Sequence, residues 1–198
     1  MRVLRAALAV TLSLASSAFA QVIDDFESYT GTPDLQAAWL FATSLDTTTP
    51  TLGAGAQSLR REGATAGDGT GVFVGREFDP PLDLSGLPGL EVRVRRDPAS
   101  VSTVRFAIFA RDGSNFSCGP QDEPLISDSE WHSSILSFPE FCGAVNLADI
   151  VQITLNVTNK SGLMDPGDVI ANFDDLQAAL LQDGFESGDT SRWSATVP

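Results

Sequence analysis

Three stretches of the chain alternate apolar and polar residues with a period of two. They are Leu90-Glu91-Val92-Arg93-Val94-Arg95, Val104-Arg105-Phe106-Ala107-Ile108-Phe109, and Val151-Gln152-Ile153-Thr154-Leu155-Asn156-Val157. Such alternation predicts strands with one face in a core and one in water. Further strands are expected at 22–27, 37–43, 57–62, 72–78, 131–138 and 169–177. Gly, Pro, Asp and Ser clusters separate them, as at Asp79-Pro80-Pro81, Asp112-Gly113-Ser114 and Asp165-Pro166-Gly167. No stretch holds a long apolar period of 3.6 residues. Many short strands joined by turns imply an all-β sandwich or barrel.

Residues 1–20 stand apart from this pattern. Arg2 and Arg5 precede an apolar run from Ala6 to Ala15, and Ser16-Ser17-Ala18-Phe19-Ala20 has a small-x-small ending. This is the three-part pattern of a secretory signal cleaved after Ala20. The competing reading, a membrane anchor, suffers from a run that is short for a bilayer. No other segment offers an uninterrupted apolar span, so no membrane span is expected. The protein is expected outside the cytoplasm, in the extracellular space or periplasm. There an oxidising environment permits a bond between Cys118 and Cys142, the two cysteines of the chain; two free thiols are the alternative.

Charge narrows the partners. The chain of 198 residues has 12 basic and 26 acidic side chains, a formal net charge of −14. Binding of nucleic acid through a basic patch is not expected. Removing residues 1–20 takes away two arginines and no acids. Of the remaining basic residues, Arg93, Arg95, Arg96, Arg105 and Arg111 crowd into one short interval. Such a cluster can pair carboxylates bidentately, as on a uronate polymer, or can form surface ion pairs with the abundant acids.

The order of several motifs resembles the galactose-binding-like jelly rolls, above all carbohydrate-binding modules of the family 11 type and the related CIA30-type domains. The residues are Ile23-Asp24-Asp25-Phe26-Glu27 at the opening, then Phe78 and Leu82-Asp83-Leu84-Ser85-Gly86-Leu87. Trp131 through Phe138 with Phe141, Leu147 through Ile153, and the closing Asn172-Phe173-Asp174-Asp175-Leu176 follow. The resemblance spans roughly residues 22–177 and implies a jelly-roll β-sandwich of two antiparallel sheets. It also implies a structural calcium where the first and last strands meet. The matching positions are Glu27 with Asp25 beside it, and Asp175 with Asp174 beside it. Asp25 and Glu27, two apart in a strand, are expected on one face. Hard carboxylate oxygens suit calcium, and the ion would relieve their repulsion. The alternative is a solvated acidic edge.

The resemblance further implies a role in binding polysaccharide. The outward positions read from alternation are Arg93, Arg95, Arg105, Phe109, Gln152, Thr154 and Asn156. Trp39 and Trp131 fall in strand patterns and are assigned to the core, which leaves this polar face with a single aromatic. Catalysis is not expected. His132, the one histidine, reads as a strand residue, and no nucleophile elbow, H-E-x-x-H or P-loop occurs. A pair of carboxylates acting on a glycoside is the harder case to exclude, because their separation is unreadable from sequence.

Residues 180–198 form a separate tail. Asp183-Gly184-Phe185-Glu186-Ser187 echoes Asp24-Asp25-Phe26-Glu27-Ser28, and the segment is similar to "DGFESGDTSxW" tails of secreted bacterial proteins. It reads as a sorting tag, a strand for a partner's edge at the cell surface, or a loose end. The expected organisation is a signal at 1–20, a sandwich domain at 21–179 and the tail. The expected function is non-catalytic glycan binding, acidic glycans included, with a structural or adhesive protein as the alternative.

Overall fold

Strands account for most of the described residues in the computed structural model, which describes residues 21–47, 55–65, 71–101, 103–119, 125–158 and 167–179. The expected signal and tail lie outside the described residues. In chain order the elements are β1 (Val22–Asp24), α1 (Thr32–Ala38), β2 (Ser44–Thr47), β3 (Gln57–Thr65), β4 (Gly71–Leu82) and β5 (Gly89–Arg96). There follow β6 (Val104–Asp112), β7 (Ser117–Cys118), β8 (Leu125–Ile126), β9 (His132–Ser137), α2 (Phe138–Phe141), β10 (Ile150–Thr158) and β11 (Gly167–Ala178).

The strands form two antiparallel sheets. The six-stranded sheet runs β2-β3-β11-β5-β9, with β1 pairing the far end of β11. The five-stranded sheet runs β4-β10-β6-β7, with β8 also pairing β6. Inward residues follow the alternation read from sequence: Val92 and Val94, Phe106 and Ile108, and Ile153, Leu155 and Val157 are all buried. Phe106 of one sheet meets Phe173 of the other edge to face, with ring centroids 5.8 Å apart. Aromatic pairs of this geometry add to the gain from burial. The architecture is the expected jelly-roll β-sandwich.

Two local expectations are corrected. Residues 37–43 do not form a strand: 37 and 38 end α1, and Trp39 caps it. Pro33 in the first turn and Gly31 before it suit a helix start. Only Leu35 and Trp39 bury the inner side, so seven residues are too few for a helical period to show. The first strand also stops at Asp24 rather than running to residue 27. Phe26 adopts φ 59° and is fully buried, which turns the chain out of the sheet.

Asp24 then anchors this corner. Its Oδ1 accepts the Phe26 N–H at 2.9 Å, and its Oδ2 accepts Tyr29 Oη at 2.6 Å, Trp39 Nε1 at 2.8 Å and a hydrogen bond from Arg76. The carboxylate is nearly sealed, so these donors replace water and link β1, α1 and β4. Burial, and then the bond to Asp24, pushes the Tyr29 phenol upward. Cys118 and Cys142 form the expected disulfide, which ties β7 to the residue that follows α2.

Candidate functional site

The outer face of the five-stranded sheet is built on β10, its second strand. Across the ladder Thr158 stands between Gly71 and Arg105, and Asn156 between Phe73 and Ala107. Thr154 stands between Gly75 and Phe109, and Gln152 between Glu77 and Arg111. Small residues therefore alternate with aromatic and polar ones. Ala107 and Gly75 are buried and form the floor. Phe73 is 46% exposed, because Val72 and Val74 on either side of it point inward. Phe109 lies against Gly119, where an added methyl group would overlap the ring.

Phe41 extends this face past the edge strand. Leu40 and Gly75 exchange both backbone hydrogen bonds, at 2.8 and 3.1 Å, so the chain after α1 docks on β4. The next residue, Phe41, takes φ 68° and is 60% exposed. A bulky side chain in that region costs about 1–3 kcal/mol, a type of strain that clusters at functional sites. Its ring meets Phe73 edge to face at 5.1 Å.

The outer face of the six-stranded sheet is also polar, and many of its side chains pair with one another, although Arg93 Nε, Arg95 Nε and Asn172 Oδ1 are sealed without a partner. Ser58, Asn172 and Asp174 are fully buried there. Asn172 Nδ2 donates to Ser58 Oγ at 3.1 Å, and Arg60 bridges Asp97 at 2.8 Å, Glu62 at 3.3 Å and Asp46 at 3.5 Å. Arg93 donates to Ser133, whose hydroxyl donates to Glu91. The guanidinium of Arg95 lies 5.0 Å from the Trp131 ring centroid. Trp131 is thus a half-buried outer-face residue and not the core residue expected, whereas Trp39 is fully buried as expected.

The structure divides the predicted ligand set. Arg105, Phe109, Gln152 and Asn156 share the five-stranded face, while Arg93 and Arg95 lie on β5 of the other sheet. Alternation separates inward from outward positions but does not say which sheet a strand joins. Phe41 and Phe73 were missed. Phe73 was readable from Val72-Phe73-Val74, whereas Phe41 carries no local signal. Among the described residues, none of Arg93, Arg95, Arg96, Arg105 and Arg111 makes an ion pair with a carboxylate; those pairs use Arg60, Arg76 and His132.

The four expected calcium ligands gather at one corner of the six-stranded sheet. A register shift between Asp174 and Gln177, with Asp175 at φ 46°, places neighbouring carboxylates where they repel one another. Burial, with Asp175 and Glu27 adding like charge, pushes the Asp174 carboxyl up to about 7, against hydrogen bonds from Gly55 and Asp175 N–H. Burial also raises Asp175, helped by Asp25, Glu27 and Glu91 and opposed by Arg93. Asp25 and Glu27 do not share a strand face. They sit in a turn beyond β1, where Asp25 Oδ1 accepts the Glu27 N–H at 3.1 Å. Glu27 Oε1 accepts from Gln57 N–H at 2.8 Å. The donor chemistry and charge fit calcium. Convergence does not: among the described residues, no group of three or more His, Cys, Asp or Glu side chains is arranged to hold a metal ion.

No protein-family model matches the chain, and no curated protein matches it in sequence. Solved structures match it in fold. An arabinose-bound α-L-arabinofuranosidase aligns with a TM-score of 0.58 at 13% identity, over 80% of this chain and 26% of its own. A carbohydrate-binding module specific for non-crystalline cellulose aligns with a TM-score of 0.57 at 8% identity, over 80% of this chain and 94% of its own. A family 11 module from a Clostridium thermocellum cellulosomal cellulase aligns with a TM-score of 0.49 at 16% identity, over 82% of this chain and 95% of its own. The chain spans about a quarter of the arabinofuranosidase and nearly all of the cellulose-specific module. On the strength of the first two alignments, the chain has the jelly-roll β-sandwich fold found in carbohydrate-binding modules.

Proposed function

We propose that this protein is a secreted, non-catalytic carbohydrate-binding module that lays a glycan chain across the outer face of the five-stranded sheet. The observation that carries the reading is the exposed pair Phe41 and Phe73, with Phe109 across the Thr154–Asn156 strip. Sugars present apolar C–H faces, which aromatic rings cover, and hydroxyls, which amide and hydroxyl side chains pair. The open trough leaves room for a chain rather than a single sugar. The fold shared with a module specific for non-crystalline cellulose supports the same reading.

Affinity electrophoresis of the secreted protein against a panel of polysaccharides tests it. Retardation by at least one polymer is expected, lost in Phe73→Ala and Phe109→Ala, with no new reducing ends after prolonged incubation. Indifference to the whole panel would return the protein to a structural or adhesive role. Release of reducing ends by the purified protein would overturn the non-catalytic assignment. Export is tested by deleting residues 2–20, which should abolish appearance of the protein outside the cytoplasm.

Calcium belongs to the reading as a stabiliser. Binding at the corner of Asp25, Glu27, Asp174 and Asp175 would offset the repulsion among them, with Asp25 and Glu27 turning toward the ion. A ligand that binds only the folded state stabilises it by about 2.7 kcal/mol at a hundredfold excess over Kd. A melting temperature that rises with calcium and falls back in EDTA is the expected result. A curve unmoved by either would overturn calcium binding at this corner.

A further inference from the structure

Six residues separate Arg105 from Arg111 on β6, and both side chains are on the outer face at opposite ends of the trough. At the rise of an extended strand that is about 20 Å, the reach of a short oligosaccharide. The two arginines are held in a way that leaves their charge intact. Arg111 donates from Nε to Gln152 Oε1 at 2.9 Å and from Nη1 to Asn115 Oδ1 at 3.0 Å, both neutral acceptors. Amide oxygens fix the plane of a guanidinium without neutralising it, so the Nη2 edge stays available to an anion. Arg105 is half-buried, and among the described residues its guanidinium meets no carboxylate. Its sealed Nε does not set it apart, since Arg93 and Arg95 on the other sheet share that feature; its place on the outer face at the end of the Thr154–Thr158 strip does.

Among the described residues, the neighbouring acids do not supply an ion pair to either arginine. Glu77 is the one carboxylate in the ladder rows of the trough, and it lies on β4, across β10 from Arg111. Asp112 follows Arg111 but is buried, with its oxygens accepting N–H groups of Ser114, Phe116 and Asn146. A chain with 26 acidic and 12 basic residues has carboxylates in excess, yet these two arginines meet none among the described residues.

We propose that the five-stranded face takes an acidic glycan, with Arg105 and Arg111 receiving carboxylate or sulfate groups at the two ends of the trough and Phe73 and Phe109 covering sugar faces between them. The proposal rests on the glycan-binding reading of the same face. It explains why the aromatic component consists of phenylalanines in a setting of fixed guanidinium and amide groups. The net negative charge of the protein opposes an acidic polymer at long range, so recognition depends on the short-range pairs at Arg105 and Arg111.

The test compares polymers that differ in charge alone. Polygalacturonate is set against its fully methyl-esterified form, and a sulfated galactan against its desulfated form, by affinity electrophoresis and titration calorimetry on the secreted protein. At least one acidic form should bind about a hundredfold more tightly than its neutral counterpart, about tenfold for each of two charge-assisted contacts. Arg105→Gln and Arg111→Gln should each remove about tenfold of this while leaving binding to the neutral polymer unchanged, and Arg105→Lys should retain part of it. Preference for polygalacturonate alone assigns a carboxylate ligand, preference for the sulfated galactan alone assigns a sulfate ester, and preference for both supports the shared anionic chemistry. Equal or tighter binding of the neutral polymers overturns the proposal and leaves the glycan reading standing. Absence of binding to all four, with Phe73→Ala indistinguishable from the parent, removes both.

Discussion

The two outer faces of the sandwich are written with the same period-two alphabet, yet they do different things. On the six-stranded side, polar residues pair with one another: Arg60 with Asp46, Glu62 and Asp97, Asn172 with Ser58, and Arg93 with Ser133 and Glu91. Ser58, Asn172 and Asp174 are fully buried as a result, although they point away from the core. On the outer face of the five-stranded sheet, the described residues form no ion pair, glycines line the strip on β4, and phenylalanines stand exposed; the sheet's one ion-paired arginine, Arg76, reaches Asp24 instead. A polar face whose charged groups pair with one another contributes to stability. One on which aromatic rings stand exposed and no ion pair forms is available for a ligand. Outward polarity alone does not distinguish the two, and the partners of each side chain do.

Substitutions on each side should therefore separate stability from binding. The largest effect is expected at the tie between the sheets. Replacing Cys118 and Cys142 by Ser opens a cross-link across 24 residues, which costs about 3 kcal/mol by loop entropy. Chemical denaturation should show that loss. Glycan affinity should fall with it, because Gly119, which lies against Phe109, directly follows the bridged Cys118. Unchanged affinity in the destabilised variant would mean that the Phe109 end of the trough does not take part.

The acidic corner comes next, through its dependence on pH. Asp174 binds its proton more tightly in the folded chain than in the unfolded one, where a carboxyl titrates near about 4. Stability measured in EDTA should consequently fall as pH rises from about 4 to about 7, by on the order of a few kcal/mol, and level off above. If calcium binds this corner, it favours the ionised form, and its stabilisation should be greatest above pH 7 and vanish near about 4. Asp174→Asn should flatten the EDTA curve. A slope that survives this change would assign the titration to another group.

Arg60→Met offers a cleaner break on the closed face. It leaves Asp97, Asp46 and Glu62 without their cation, and partial exposure of the group holds the cost to about 2 kcal/mol. Binding to polysaccharide should not change. The converse is Phe73→Ala on the open face. A ring that is 46% exposed contributes little to folding, so the melting temperature should barely move while affinity drops about tenfold. If Phe73→Ala unfolded the protein, or if Arg60→Met abolished binding, the division between the faces would fail.

The strands were legible from sequence because each one is buried on a single side, and burial on one side imposes the period of two. Val92, Phe106, Ile108, Ile153 and Leu155 all point inward as that period requires. The disulfide was legible because the chain has two cysteines. The short helix at 32–38 was not, since its seven residues hold two inward side chains and any pattern of two points is ambiguous. Strand context puts Trp131 in the core, but it lies just before the edge strand β9, half-buried against Arg95. Half of the acidic corner was misread for a similar reason. A left-handed Asp175 and a turn at Phe26 break the alternation that would have assigned faces to Asp25, Glu27 and Asp175.

By itself, the amino-acid sequence determined the all-β class, the inward set of most strands, the cysteine pairing and an acidic chain with arginines concentrated between positions 93 and 111. Each of these follows from residue identity and from spacing along one strand, which are local quantities. Only the tertiary structure decided that Arg93 and Arg95 lie on one sheet and Arg105 and Arg111 on the other, because sheet membership depends on which distant strands pair. It alone brought Phe41 beside Phe73, through a backbone bridge between Leu40 and Gly75 that joins residues far apart in sequence. It also decided which arginines have carboxylate partners, since an ion pair requires two groups within a few ångströms and a count of acids cannot say where they are.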